Sequence, residues 1–202
     1  MSRPPKNNDS GLRTGLFFGS FNPIHIGHLT IAKYFLEFTD LKQVWFVVSP
    51  HNPLKKKESL LADHHRLNMV KLAIDDTPAL RACDIEFKLP QPSYTIHTLT
   101  YLKEKYPEKK FVLLMGGDNL ETLHKWKNYE LILRNYEIYV YVRPGTKKPA
   151  IEHEHIRIFD APLMDISSSF IRQALKSKKD VGFLLSPAVA AYIDDMMLYR
   201  SI

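Results

Sequence analysis

The sequence predicts an α/β fold: a Rossmann-like, doubly wound parallel sheet with helices on both faces and a small C-terminal helical segment. Two observations predict it. Short apolar runs recur along the chain at Leu16–Phe18, Val44–Val48, Phe111–Met115 and Ile138–Val142. Each is too short for a helix, rich in β-branched and aromatic residues, and lacks polar alternation, as expected of strands buried on both faces. Helical periodicity fills the intervals, and alternating strands and helices imply a parallel sheet.

The elements follow in order. After Leu16–Phe18, the residues Leu29, Ala32 and Leu36 share one helical face. After Val44–Val48 comes the longest irregular stretch, His51–Leu61, with three consecutive lysines, and then a helix bearing Leu67, Val70 and Ile74. A weaker strand is expected around Leu80–Ile85. Ile96, Leu99 and Leu102 mark a helix that starts near Ser93 or Tyr94 and stops before Pro107. The C-terminal stretch reads as helices over Ser169–Lys176 and Pro187–Met197, with Ser186 as N-cap and Pro187 at the first helical position. Ligands of such folds bind beyond the carboxyl ends of the strands. The loops after Phe18, Val48, Met115 and Val142 are therefore the places for a site.

Composition narrows the class. The 202 residues are 45% hydrophobic and 25% charged, which suits one globular domain over residues 14–202 behind a polar, disordered tail at 1–13. One cysteine, Cys83, excludes an internal disulfide and fits a reducing compartment. No apolar run approaches the roughly 20 residues that span a bilayer, and the N-terminus lacks the apolar core of a secretory signal. A cytoplasmic protein without membrane partners is expected. The net charge of +6, clustered at Lys55–Lys57, Lys109–Lys110, Lys147–Lys148 and Lys176–Lys179, suits phosphorylated small molecules or nucleic acid. Charge alone does not separate these.

The loop after the first strand reads GSFNPIHIGHL and opens a helix. Gly19 and Ser20 allow close approach of a ligand to the backbone. Pro23 stiffens the loop. His25 and His28, three apart, share a helical face, and Gly27 keeps bulk away from them. The helix start adds backbone N–H groups and a partial positive charge suited to phosphate. Two other readings stand: histidines that merely cap a surface helix, and a zinc pair completed by His153 or His155, which are candidates by residue type only. A dinucleotide-binding glycine loop is disfavoured, because no GxGxxG follows the strand. Near the C-terminus, Ser167, Ser168 and Ser169 precede Arg172 by up to a turn, so hydroxyls, backbone N–H groups and a guanidinium converge. The same serines can serve as plain caps.

These motifs carry a resemblance. His25-Ile26-Gly27-His28 resembles the HxGH signature of the nucleotidyltransferase superfamily, which class I aminoacyl-tRNA synthetases share. The segment from Ile166 to Arg172 resembles the ISSTxIR motif of small adenylyltransferases. Ser93-Tyr94-Thr95 with Thr98-Leu99 looks like the SYTxxTL segment of nicotinate-nucleotide adenylyltransferases. Gly116-Gly117-Asp118, Trp126 and Arg143-Pro144-Gly145 also sit where that family has them. The ordered matches run from Gly15 to about Ile193 and are together highly specific. The sequence departs from the family at Phe18 (a glycine there), at Asn22 (an aspartate) and at Pro53-Leu54-Lys55, where the family often has PHK.

The resemblance implies adenylyl transfer from ATP to nicotinate mononucleotide, giving nicotinate adenine dinucleotide and pyrophosphate. It assigns His25, His28, Lys55 and Arg172 to catalysis. It assigns Gly19, Ser20, Phe21, His25, His28, Ser167, Ser168, Ser169 and Arg172 to ATP. Asn22, Lys55, Tyr94, Thr95, Asp118, Trp126 and Arg143 go to the mononucleotide; Asp118 would bind a ribose hydroxyl or orient substrate, or else cap a helix. Mg2+ should bridge the phosphates, held mainly by substrate oxygens and water. The rivals are a dual-specificity or nicotinamide mononucleotide adenylyltransferase, a phosphopantetheine adenylyltransferase, which the Ser93–Leu99 segment disfavours, a synthetase fragment, which would need a lysine-rich second signature, and a nucleic-acid-binding protein.

Overall fold

Strand order reverses at the middle of the sheet, and that reversal places the site. The computed structural model describes residues 12–50, 60–142, 151, 153–162 and 164–200. The strands are β1 (Leu12–Gly19), β2 (Gln43–Val48), β3 (Leu80–Cys83), β4 (Lys109–Gly116), β5 (Glu137–Val142) and β6 (Ile156–Asp160). They form one parallel sheet in the order β3-β2-β1-β4-β5-β6. β1 and β4 lie side by side, and the chain winds outward from them in opposite directions. A crevice opens beyond their carboxyl ends, the position where such sheets bind ligands.

The helices are α1 (Ile26–Phe38), α2 (Asp63–Ile74), α3 (Thr95–Lys105), α4 (Gly117–Glu121), α5 (Tyr129–Asn135), α6 (Ser168–Lys176) and α7 (Pro187–Asp195). Alternation along the strands divides the core in two. Phe17, Phe46 and Val48 point to one face, under Phe35 of α1, Met69 of α2, Ile171 of α6 and Val189 of α7. Leu16, Trp45 and Val47 point to the other, under Leu99 of α3, Leu120 of α4 and Ile132 of α5. Each apolar side chain so buried contributes about 1.5–3 kcal/mol. Ser186 caps α7, its hydroxyl accepting from Val189 N–H at 3.4 Å with Pro187 behind it, as the sequence predicts.

Several boundaries differ from expectation. β1 starts at Leu12, so Leu12 and Arg13 pair with Lys109 and Lys110 instead of belonging to the tail. The strand expected over Leu80–Ile85 stops at Cys83 and turns into a 3-10 helix at Ile85–Phe87. α6 begins one residue early, at Ser168, and α7 ends at Asp195, before Met197 enters the left-handed region with φ 50°. β6, α4 and α5 carry no strong sequence signal. Among the described residues no helix is long and apolar enough to cross a membrane.

Candidate functional site

The loop from Ser20 to His25 connects β1 to α1, and several distant residues hold it. Phe21 is the first anchor. It takes φ 45° and is only 2% exposed, its ring turned into the core. A Cβ on Gly19 would stand 2.8 Å from that ring, so Gly19 makes room for Phe21 as well as for a ligand. Phe21, expected to touch ATP, therefore offers its backbone and not its ring. Asn22 is likewise turned inward. Its Oδ1 accepts from the Tyr199 hydroxyl at 2.8 Å and from Leu61 N–H at 3.4 Å. The side chain is a strut between the loop, Tyr199 and the residues before α2.

His25 is the N-cap residue of α1 and is 6% exposed. Its backbone N–H donates to Nδ1 of His28 at 3.3 Å. That bond puts the His28 proton on Nε2 and fixes which edge of the ring can donate. The rings face each other with centroids 3.8 Å apart, while Phe21 meets the His28 ring edge-on at 5.1 Å. A Cβ on Gly27 would press on the His25 ring at 3.1 Å, so the glycine does keep the pair unobstructed. Burial lowers the His25 pKa to about 4, and its Nδ1 has no hydrogen-bond partner. His25 is therefore neutral at physiological pH. The pair can supply N–H dipoles beside the partial positive charge of the α1 start, but His25 supplies no full charge.

The serine-rich segment docks on this loop. The Ser168 hydroxyl donates to the Pro23 carbonyl at 2.9 Å, and Arg172 donates to the Asn22 carbonyl at 2.8 Å and to Ser169 Oγ at 3.3 Å. Ser167 caps α6, its hydroxyl accepting from Phe170 N–H at 3.1 Å. The capping reading holds for Ser167, while Ser168 and Ser169 bond to Pro23 and Arg172. Two loops that lie more than a hundred residues apart in sequence thus share one corner.

Behind them stands a residue the sequence did not flag. Arg66 of α2 is 0% exposed. Its guanidinium donates to the carbonyls of Ser20 at 2.6 Å, Ser49 at 2.7 Å, Leu61 at 2.9 Å and Pro50 at 3.2 Å, and pairs with Asp63. Ser49 N–H donates to the Gly19 carbonyl at 2.9 Å. The ends of β1 and β2 are thereby laced together. Glu86 was also missed. It is 2% exposed, accepts from the Thr98 hydroxyl at 2.7 Å, and burial pushes its carboxyl pKa up against hydrogen bonds from Ser49 and Thr98. It ties α3 to the loop after β2.

On the other face of the sheet, Phe18, Tyr94 and Trp126 pack half-buried on the same apolar core. Tyr94 is the N-cap residue of α3 and Thr95 its first residue. Asp118 is exposed in α4, but the N-cap is Gly116, so the capping reading of Asp118 does not hold. Its carboxylate lies over Gly116, where a Cβ would be 2.5 Å from Oδ1, beside the Tyr141 ring. Burial and the Asp118 charge raise the Tyr141 pKa. Lys55 and Arg143 lie outside the described residues.

His153 and His155 do not join the histidine pair. His155 Nδ1 lies 2.6 Å from the Leu133 carbonyl, and His153 Nδ1 accepts from His155 N–H at 3.2 Å. Among the described residues no three His, Cys, Asp or Glu side chains are grouped to hold a metal. Of the basic clusters, the two among the described residues do not gather at the crevice either. Lys109 and Lys110 open β4 at the opposite end of the strands, and Lys176, Lys178 and Lys179 line a separate cavity of about 430 Å³ at the far end of α6.

Comparison with known proteins places this geometry. A family model described as cytidylyltransferase-like matches residues 16–174. A protein of Flavobacterium psychrophilum named "probable nicotinate-nucleotide adenylyltransferase" is 55% identical over 192 residues, which is 94% of this chain and 100% of that one. A protein of Bacteroides fragilis with the same name is 48% identical, over 88% of this chain and 89% of its own. Among solved structures, Plasmodium falciparum nicotinic acid mononucleotide adenylyltransferase complexed with NaAD superposes with a TM-score of 0.75 at 21% identity, covering 93% of this chain and 97% of that one. At that identity the likeness speaks for the fold.

Proposed function

The chain belongs to the cytidylyltransferase-like family and, within it, to the nicotinate-nucleotide adenylyltransferases, and from that premise we propose how it makes nicotinate adenine dinucleotide from ATP and nicotinate mononucleotide. A phosphate oxygen of the mononucleotide attacks the α-phosphorus of ATP. The new P–O bond forms as the bond to the β-phosphate breaks, and pyrophosphate leaves with the electron pair. The attacking oxygen is already anionic at neutral pH, so no general base is required. The site has to align the two phosphates and stabilise charge on the leaving group.

The observation that carries this reading is the docking of α6 on the first loop, through Ser168 to Pro23 and Arg172 to Asn22. It brings the serine-rich helix start and Arg172 onto the loop that leads into the two imidazoles, which supports a shared phosphate site. His25 acts there as a neutral N–H donor, and His28 offers the ring edge opposite its Nδ1. The full positive charge comes from Arg172, from Lys55 as the resemblance assigns it, and from Mg2+. Mg2+ would be held mainly by substrate oxygens and water. Bound there, it would neutralise phosphate charge. Tyr94, Thr95 and Trp126 hold the pyridine end, and Asp118 a ribose hydroxyl. The substrates are these nucleotides and not a polynucleotide, and the reaction runs in the cytoplasm.

The test is pyrophosphate release by the purified chain with ATP, Mg2+ and either nicotinate or nicotinamide mononucleotide. Release with the acid at a clearly higher kcat/KM than with the amide is expected. Comparable values would make the enzyme dual-specific, and release with neither would overturn the reading.

A further inference from the structure

Lys127 follows Trp126 in the turn before α5, and its backbone is fixed on both sides. Trp126 N–H donates to the Leu123 carbonyl at 2.9 Å, and Tyr129 N–H donates to the Trp126 carbonyl at 3.2 Å. Asn128 turns the chain with φ 52°. From this position the Lys127 ammonium reaches back across to α3 and rests 4.4 Å from the centroid of the Tyr94 ring. The Tyr94 ring also meets His97 edge-on at 5.5 Å. Among the described residues no carboxylate forms an ion pair with Lys127. An exposed lysine ordinarily wanders through solvent. Here an aromatic face holds the cation in place and leaves its electrostatic demand to be met by an anion.

The surroundings identify the anion. Tyr94 and Trp126 are each half-buried against the apolar core that Phe18 of the β1 end also meets, and the ammonium lies over the Tyr94 ring. Flat aromatic surfaces take a flat ring, and a cation beside them takes an anionic substituent on it. We propose that Lys127 determines specificity: its ammonium pairs with the carboxylate of nicotinate mononucleotide and disfavours the uncharged carboxamide. This rests on the function proposed above. The acid and the amide differ by one full charge at one substituent. A fixed cation discriminates between them, whereas ring stacking and contacts to ribose and phosphate do not.

The test is kcat/KM for both mononucleotides with the full chain carrying Lys127→Gln, Lys127→Arg or Lys127→Glu. Lys127 is exposed, so folding should be unaffected, and thermal melts will verify it. Lys127→Gln should lower the value for the acid about tenfold and leave the amide within about twofold, the scale of one partly screened ion pair. Lys127→Arg should restore most of the preference, and Lys127→Glu should reduce it further than glutamine. Added salt should erode the preference of the natural chain but not that of Lys127→Gln. An unchanged ratio of acid to amide in Lys127→Gln, or an equal loss on both substrates, overturns the inference while leaving the adenylyltransferase reading intact. A natural chain inactive with both mononucleotides overturns that reading, and this inference with it.

Discussion

Arg66 and Arg13 are both arginines held inside the protein, one at each end of the sheet, and they are satisfied in opposite ways. At the carboxyl end, Arg66 binds four backbone carbonyls and one carboxylate. At the amino end, Arg13 binds side chains: Asp40 at 3.1 Å, Glu137 at 2.6 Å and the Tyr139 hydroxyl at 3.1 Å, with Tyr139 donating to Asp40 at 2.6 Å. Burial lowers the Arg66 pKa, and Asp63 offsets this only in part. Burial also works against the charge on Arg13, but Glu137, Tyr139 and Asp40 outweigh it and the pKa rises. The difference follows from what each end has to hold. Carbonyl ligands fix the path of loops, so Arg66 orders the backbone from which the site is built before any substrate arrives. The Arg13 network joins strands that the hydrogen-bond ladder already holds.

The sharpest way to break this comparison is Arg66→Met. It leaves the carbonyls of half-buried Ser20, Ser49 and Leu61 without their Arg66 donor, each at about 1–3 kcal/mol. A total loss of about 3–5 kcal/mol in urea unfolding is expected, as for a dismantled buried ion pair, with turnover falling alongside. A loss below about 1 kcal/mol would show that the loops hold themselves.

Acid tests the same end of the molecule by another route. The His25 imidazole titrates near 6.5 in the unfolded chain and near 4 when folded. Between those values the unfolded state takes up the proton first, so stability falls as pH drops from about 6.5 towards 4, by about 3 kcal/mol in all. Above pH 6.5 the residue contributes no slope. Denaturation midpoints at pH 6.5, 5.5 and 4.5, compared with His25→Asn, isolate the effect. An equal slope in the variant would assign the acid sensitivity elsewhere.

His28→Ala separates chemistry from scaffolding. The ring packs on Phe21 and His25 but is half-buried, and its Nδ1 accepts from the His25 backbone. Turnover should fall roughly a hundredfold, about 2.7 kcal/mol in barrier, the scale of one lost electrostatic donor. Thermal stability should change little. Unfolding of the variant, or normal turnover in a folded one, would make His28 a structural cap instead.

The two ends also differ in how far the sequence discloses them. The interior strands show as apolar runs because both their faces are buried. β6 does not, because Ile156-Arg157-Ile158-Phe159-Asp160 is an edge strand that places charges among its apolar residues. The histidine pair and the serine-rich helix start are local patterns at helical spacing, so sequence alone discloses them. Arg66 is not local in this sense. Within Asp63-His64-His65-Arg66 it reads as one more polar residue of a solvated face, and only the approach of the β1 and β2 loops makes it a buried hub. The bond from Tyr199 to Asn22 spans 177 residues and has no spacing signature. Asn22, which the resemblance assigns to the mononucleotide, is also that bond's acceptor.

The smallest expected effect belongs to Arg13→Met. The methionine would keep most of the apolar stem's contacts between β1 and β5. The stranded acids are not sealed in: the Asp40 and Glu137 side chains are 44% and 31% exposed, so water can replace the guanidinium. Tyr139 keeps its hydrogen bond to Asp40, and Arg157 stands 3.6 Å from Glu137 to take over part of the pairing. A loss of about 1–2 kcal/mol is expected, below the cost of breaking a fully buried pair because solvent remains within reach. Turnover and both Michaelis constants should stay at the natural values, because no loop of the site hangs on this network. Urea unfolding and steady-state kinetics on the same preparation check both halves. If Arg13→Met lowers turnover as Arg66→Met does, the two ends of the sheet are coupled and the division between a loop-holding arginine and a strand-joining one fails.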